Sequence, residues 1–170
     1  MIEILPSEED HLPLLREIEL DAASICSVDD LPKHLRTESV PPDILKVAHK
    51  QGLLLVAIED GAAPVGFAVC TVIDNYLHLL EIDVASRVQR LGIGSMLLDK
   101  VIDLAVQRGC DWVSLTTFSH LAWNAPWYQK WGFAIMIHEE LPEFLADILS
   151  EEKTRGLNPN NRVAMRRELG

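Results

Sequence analysis

The sequence predicts an α+β protein built on a mixed, mostly antiparallel sheet, and three observations predict it. Apolar, β-branched runs at 53–59, 65–73 and 76–85 are separated only by the turns DGAAP and DN, the signature of an antiparallel meander. After residue 85 the pattern switches to a glycine-containing loop and a helical stretch, 95–108, before the next strand-like run at 112–118. Helical and strand-like segments then alternate to the C-terminus. The order β-α-α-β-β-β-α-β-α-β-α-β excludes a doubly wound parallel sheet, because hairpins come first and a single crossover follows them.

Residues 2–5 read as a first strand. Ser7 with Asp10 three residues on resembles a capping box for a helix running towards Ile25, and Pro13 inside it either kinks that helix or delays its start. A polar, proline-containing connection follows at 27–42. Pro41 and Pro42 open a second helix at 43–50, with Gly52 as its C′ residue. After the meander, the 95–108 helix gathers Asp99, Lys100, Asp103 and Gln107 on one face, and Gly109 ends it. Asn124 reads as the N-cap of a short helix with Pro126 in its first turn, stopped by Gly132. A strand at 133–138, a helix at 141–155, a turn at 156–161 and a final strand at 162–168 complete the chain.

Composition bounds the function. At 170 residues the chain is expected to form one domain. Fifteen Lys and Arg against 26 Asp and Glu give a net charge of −11, so the basic footprint of a nucleic-acid binder is absent and anionic membranes are disfavoured. Cys26, Cys70 and Cys110 lie far apart with no metal-ligand spacing, so neither a zinc site nor a disulfide framework is expected. The N-terminal MIEILPSEEDHL has no basic segment followed by an apolar one, so no signal peptide is expected. The expected location is a reducing cytoplasm.

The segment EIDVASRVQRLGIGSMLL carries the chemistry. A strand runs into a loop with Gly92 and Gly94 and straight into a helix. Loop amides and the free N–H groups of the helix's first turn converge there, the geometry that binds phosphate oxygens, and Arg87 and Arg90 add positive charge. The segment lacks the Gly-Lys-Ser/Thr of a P-loop. It also lacks the third glycine of a dinucleotide fingerprint, since position 97 is leucine. Read without further context, the two glycines are equally consistent with a loop that merely turns the chain.

Gln89 to Gly94, QRLGIG, resembles the Gln/Arg-x-x-Gly-x-Gly/Ala motif of the GNAT superfamily of N-acetyltransferases. It follows LLEIDV, which resembles that superfamily's fourth strand. Asn124 to Phe133, NAPWYQKWGF, resembles its second signature, Asn…Tyr-x-x-x-Gly-Phe, and the closing RVAM strand also fits. The resemblance implies a central sheet of about seven strands, splayed between strands 4 and 5, with helices on its faces. It implies acetyl-CoA as cosubstrate and no metal. Pantetheine would pair with main-chain groups of Ile82, Asp83 and Val84, and the pyrophosphate would take the amides of Gln89, Arg90, Leu91, Gly92, Ile93, Gly94 and Ser95. Asn124 would contact the pantetheine arm, a role that stands beside its reading as a helix cap.

The resemblance further implies an active N-acetyltransferase in which a primary amine, on a small molecule or a peptide, attacks the thioester directly; the alternative is a non-catalytic acetyl-CoA-binding module of the same fold. A homodimer through the terminal strands is common among members. Tyr128 matches the signature tyrosine and is assigned the general acid; aromatic packing is its other reading. Glu81 and His78 are the candidates for the base, with Asp83 as an outside candidate, and the N–H of Val84 is the implied oxyanion donor. Strict alternation would put residues 78 and 81 on opposite sheet faces, and a bulge, usual in the superfamily, would bring both to the cleft. His120 reads as a surface histidine or as part of the acceptor mouth. Acidic residues at 26–42 and 139–161 favour a cationic acceptor if they line the cleft, and are solvated helix faces if they do not.

Overall fold

The computed structural model describes residues 1–170. The strands are β1 (Ile2–Pro6), β2 (Leu54–Glu59), β3 (Pro64–Ile73), β4 (Tyr76–Val84), β5 (Trp112–Phe118), β6 (Ala134–Ile135) and β7 (Arg162–Glu168). The helices are α1 (Leu12–Ala23), α2 (Pro42–Lys50), α3 (Ile93–Gln107), α4 (Ala125–Lys130) and α5 (Glu143–Arg155). All seven strands form one sheet in the order β1-β2-β3-β4-β5-β7-β6. Only β4 and β5 pair in parallel; every other pair is antiparallel. The α+β class and the mixed sheet expected from the sequence are thus what the chain adopts.

Core packing follows the apolar stripes. Leu15 and Ile18 of α1, Leu45 and Ala48 of α2, and Leu97, Leu98 and Val101 of α3 are buried with Val56, Phe67, Val69 and Leu77 of the sheet. A smaller cluster, Met136, Leu145 and Ala164, seats α5 against β7. The two helical layers lie on opposite faces. Phe144 of α5 meets Tyr76 and His78 edge-on, while Leu97 of α3 approaches Gly66 beside Val84. No helix is long and apolar enough to cross a membrane. The three cysteines are free.

Two local expectations are corrected. The Ser7–Asp10 capping box does not form. Ser7 Oγ instead shares a 2.7 Å hydrogen bond with Nδ1 of His49 on α2, and the Glu8 N–H donates to Nδ1 of His11 at 3.0 Å. A short 3₁₀ turn precedes α1, which starts at Leu12, so that Pro13 falls in the first turn where its missing N–H is not needed. The strand expected at 133–138 contracts to Ala134–Ile135. Phe133 is drawn into the core and Met136 into the α5 cluster, and His138–Glu140 already turns as a 3₁₀ segment.

The feature that shapes the site is the end of the β4–β5 pairing. It covers only Tyr76–His78 against Trp112–Ser114. Beyond that point β4 stays on β3 as far as Val84, and β5 stays on β7 as far as Phe118. The strands therefore part into a V. A bulge sits at the parting. Val69 pairs with Glu81 but Cys70 with Leu79, leaving Leu80 unpaired. Bulges increase local twist and bend the bulged strand. After the skip, His78, Glu81 and Asp83 oppose Thr71, Val69 and Phe67, alternate residues of β3 that share one face.

Gly66 lies opposite Val84, at the open end of the V. A Cβ there would meet the Asp83 carbonyl oxygen at 3.0 Å and Leu97 Cδ1 and Val84 Cγ2 at 3.4 Å. Overpacking of this kind costs about 1–3 kcal/mol. Gly66→Ala is expected to lower unfolding free energy by that amount in a urea titration; an unchanged midpoint would show that β4 is free to move away from β3 here.

Candidate active site

The loop after β4 is built to leave donors free. Arg90 and Gly92 both take left-handed conformations, with φ of 63° and 82°. This is the kind of turn that makes successive N–H groups converge into an anion-binding concavity. Gly92 is the residue before α3, and the first hydrogen bond of that helix is Met96 N–H to Gly92 O at 3.0 Å. The amides of Arg90 through Ser95 donate to no acceptor within the chain. Gly94 leaves the approach open: the only neighbour of a Cβ built there is Trp127 Cη2, at 4.0 Å. Arg90 is exposed and unpaired, whereas Arg87 is held by Glu59 at 3.2 Å. Gln89 Nε2 donates to Val84 O at 3.1 Å, so this side chain ties the loop to the end of β4.

The open edge of β4 supplies the second set of main-chain groups. Ala85 N–H donates to Val65 O at 2.8 Å. Alternation of the antiparallel ladder then turns the main-chain groups of Asp83 and Glu81 towards β3. Those of Ile82 and Val84 point the other way, into the V. Of the expected trio, Ile82 and Val84 thus face the cleft with their main chains. Asp83 does not, because its amide and carbonyl face Phe67; it faces the sheet's α1 side with its carboxylate.

Asn124 precedes α4 with φ −117°, and its side chain makes no capping bond. Its Oδ1 accepts from Thr117 Oγ1 at 2.6 Å, which anchors the start of α4 to β5. Tyr128 on α4 is buried between Trp127, at 4.9 Å between ring centroids, and Phe133, at 5.6 Å. Its hydroxyl has no hydrogen-bond partner within the chain. Burial, with the negative charges of Glu81 and Asp83, pushes its phenol well above the usual range.

Of the candidate bases, His78 sits at the apex of the V. It is 2% exposed, and its Nδ1 shares a 2.9 Å hydrogen bond with Ser114 Oγ on the last β4–β5 rung. Burial lowers its pKa to about 4. Glu81 and Asp83 lie beyond the bulge, joined by a residue that reading the sequence missed. Glu19 of α1 brings a carboxylate oxygen to within 4.8 Å of oxygens on both. Burial, then the charge of Glu81, raises Glu19 to about 7. Burial, then the charge of Glu19, raises Asp83 to about 7. Glu81 is pushed well above the carboxylate range by burial and then by Asp83. The signal available for Glu19 was faint: a carboxylate one position from the buried Ile18 stripe.

The connection between α1 and α2 is tied to the segment after β5 and to the end of α5. His120 Nε2 is 2.7 Å from Asp30 Oδ1, and His34 Nε2 is 2.7 Å from the Arg155 carbonyl oxygen. Arg155 also pairs with Glu38. On the far wall, Arg162 Nε bonds Glu152 Oε1 at 2.8 Å, and Thr116 Oγ1 donates to Glu152 Oε2 at 2.9 Å. Of the acidic residues expected at the acceptor mouth, Asp30 is thus hydrogen-bonded to His120 and Glu38 ion-paired with Arg155.

Solved structures share this architecture. N-acetylglutamate synthase from Neisseria gonorrhoeae, crystallised with coenzyme A and N-acetyl-glutamate, matches all of this chain with a TM-score of 0.74 at 17% identity; the chain spans 35% of that protein's length. A GNAT-family acetyltransferase from Staphylococcus aureus Mu50 matches at TM-score 0.71 and 20% identity, with 100% of both chains covered. The ribosomal-protein-S18-alanine N-acetyltransferase from Escherichia coli matches at TM-score 0.69 and 22% identity, covering 100% of this chain and 95% of that one. At these identities the likeness is one of fold. The sequence model of the acetyltransferase (GNAT) family matches residues 14–133, well over half of the 170, and the chain belongs to that family.

Proposed function

We infer that the protein is an acetyl-CoA-dependent N-acetyltransferase acting on a primary amine. The observation that carries this reading is the run of unpaired amides from Arg90 to Ser95, set beside the unpaired edge of β4 in the V. Convergent main-chain donors at a helix N-terminus suit a diphosphate. The Ile82 and Val84 main chains suit the amide groups of a pantetheine arm added as a strand. These residues fit coenzyme A, with Gln89 positioning the loop and Arg90 adding charge at its rim. Asn124 is already engaged by Thr117 through its oxygen, which leaves its amide N–H₂ for the pantetheine arm.

Bound acetyl-CoA supplies a thioester carbonyl open to direct attack by the acceptor nitrogen. The N–H of Val84, on the open edge, is placed to stabilise negative charge on that carbonyl oxygen. An alkylamine has a pKa of about 10.4, so only ~1 molecule in 10³ is neutral near pH 7 and a base must take its proton. Glu81 and Asp83 are better placed for this than His78, whose Nδ1 is committed to Ser114 and whose basicity is low. Tyr128, with its hydroxyl unpaired and its proton tightly held, is the acid that returns a proton to the departing sulfur.

Three outcomes are expected. Gly94→Asp adds an anion to the first turn of α3, which favours the helix but repels a diphosphate. Its thermal midpoint is expected to match or exceed that of the parent, while calorimetry shows acetyl-CoA binding at least tenfold weaker. Equal binding would remove the loop from the reading. Tyr128→Phe is expected to lower kcat about 10²-fold with little change in either KM, within the range for loss of a general acid. An unchanged kcat would return Tyr128 to aromatic packing.

The third outcome concerns pH. Carboxylates with raised pKa values hold their protons to higher pH, and only their ionised forms accept a proton from the amine. The acidic limb of kcat/KM is therefore expected near pH 7, where Asp83 titrates, rather than near pH 4. A limb near pH 4 would point to His78 or to an unperturbed carboxylate. Thiol release measured over a panel of amines tests the reading as a whole. Tight acetyl-CoA binding without release for any amine would favour a non-catalytic binding module.

A further inference from the structure

We propose that Glu19, Glu81 and Asp83 form a three-point seat for the ammonium group of the acceptor, with Glu19 the residue that selects primary amines. The proposal rests on the transferase reading above, and adds to it a residue on a different element and a preference among amines. Carboxylate oxygens of the three residues lie within 4.8 Å of one another. None of the three pairs with a lysine or arginine. The cations that face them from neighbouring elements are already engaged, Arg155 of α5 by Glu38 and Arg162 of β7 by Glu152. Tyr128 of α4 faces them as a neutral phenol, and Glu152 of α5 adds negative charge at longer range. A group of carboxylates with no cation among them is costly to keep, since each charge lacks compensation.

A second observation points to a ligand. Asp83 Oδ2 is shut off from solvent and takes no hydrogen bond from any N–H or O–H of the chain; the one side chain that bonds to the Asp83 carboxyl is Glu81, itself a member of the cluster. Glu19 is held in place, because the Val40 N–H lies 2.8 Å from Oε2 and 3.1 Å from Oε1. That contact fixes α1 to the segment just before α2 and fixes the third oxygen of the seat. A primary alkylammonium carries three N–H donors and no acceptor, one donor for each carboxylate. A divalent metal ion suits the site less well. Calcium takes six to eight oxygens and magnesium a strict octahedron; here three carboxylates stand together, and both oxygens of Glu19 already lie within reach of the Val40 N–H.

The step balances within the seat. The acceptor enters as R–NH₃⁺ with the seat anionic. One N–H bond breaks and one O–H bond forms, on Glu81 or Asp83, and the nitrogen keeps the electron pair it needs for attack. Entry of the cation displaces a proton held by the empty cluster. A secondary ammonium brings only two donors and leaves one carboxylate unmatched.

Glu19→Gln tests this, because glutamine can still accept from Val40 and preserve the fold. The expected result is at least a tenfold rise in KM for the amine. The KM for acetyl-CoA is expected unchanged, and the preference for a primary amine over its N-methyl derivative reduced. Glu19→Asp is expected to be intermediate. An amine KM within twofold of the parent overturns the seat while leaving the transferase reading intact. Should no amine be acetylated, calorimetry with n-butylammonium chloride and coenzyme A, in two buffers of different ionisation enthalpy, decides. Binding with proton release that Glu19→Gln abolishes upholds the seat while the transferase reading falls, and absence of such binding overturns both. Stoichiometric Mn²⁺ binding lost in Glu19→Gln also overturns the seat, as the mark of a metal site.

Discussion

The site depends on two parallel strands letting go of each other. β4 and β5 are bonded only as far as His78 and Ser114, and each then follows its antiparallel neighbour. Parallel pairing is slightly less stable per residue than antiparallel pairing, so the strands separate where the ladder is weakest. The bulge at Leu80 adds twist to β4 at that point. What results is an internal sheet edge with main-chain groups of Ile82 and Val84 facing the gap. Backbone donors and acceptors do not stay unpaired away from water without cost, so the gap must hold water or a ligand that forms a strand's worth of hydrogen bonds.

The same parting lets the loop after β4 reach α3 with its amides unpaired, and gives the site two characters. One wall is made of backbone donors and carries little side-chain charge beyond Arg90. The other, where Glu19 meets Glu81 and Asp83, is acidic and short of cations. Backbone donors on one wall suit an anion such as a diphosphate, and carboxylates on the other suit a cation. The acidic wall works against folding, since carboxylates that share a small volume hold protons the unfolded chain would release. That stability falls as pH rises from about 4 towards 7, because the folded state binds more protons than the unfolded chain across that interval. Such local conflicts concentrate where function needs them.

Much of this was legible in the sequence. The turns between apolar runs gave the meander, the switch from alternation to helical periodicity gave the crossover, and QRLGIG located the donor loop because glycine at 92 marks a left-handed turn. The coming together of His78 and Glu81 on one face could be foreseen only through a family bulge, since alternation alone separates them. Other features depended on partners distant in the chain. Glu19 looked like one more charge on the first helix, and its meaning comes from residues about 60 positions on. Asn124 has the residue type of a cap, but Thr117 offers its side chain a closer partner. Ser7 is drawn to His49, and the sixth strand shrinks because Phe133 and Met136 have cores to fill.

Amide hydrogen exchange resolved by residue, with and without acetyl-CoA, reports on the donor loop and on the open edge of β4 at once. The amides from Arg90 to Ser95, with those of Ile82 and Val84, are expected to exchange rapidly in the free protein and to become strongly protected when the ligand binds. Saturable binding that leaves those amides unprotected, or protects a different segment, would contradict that expectation.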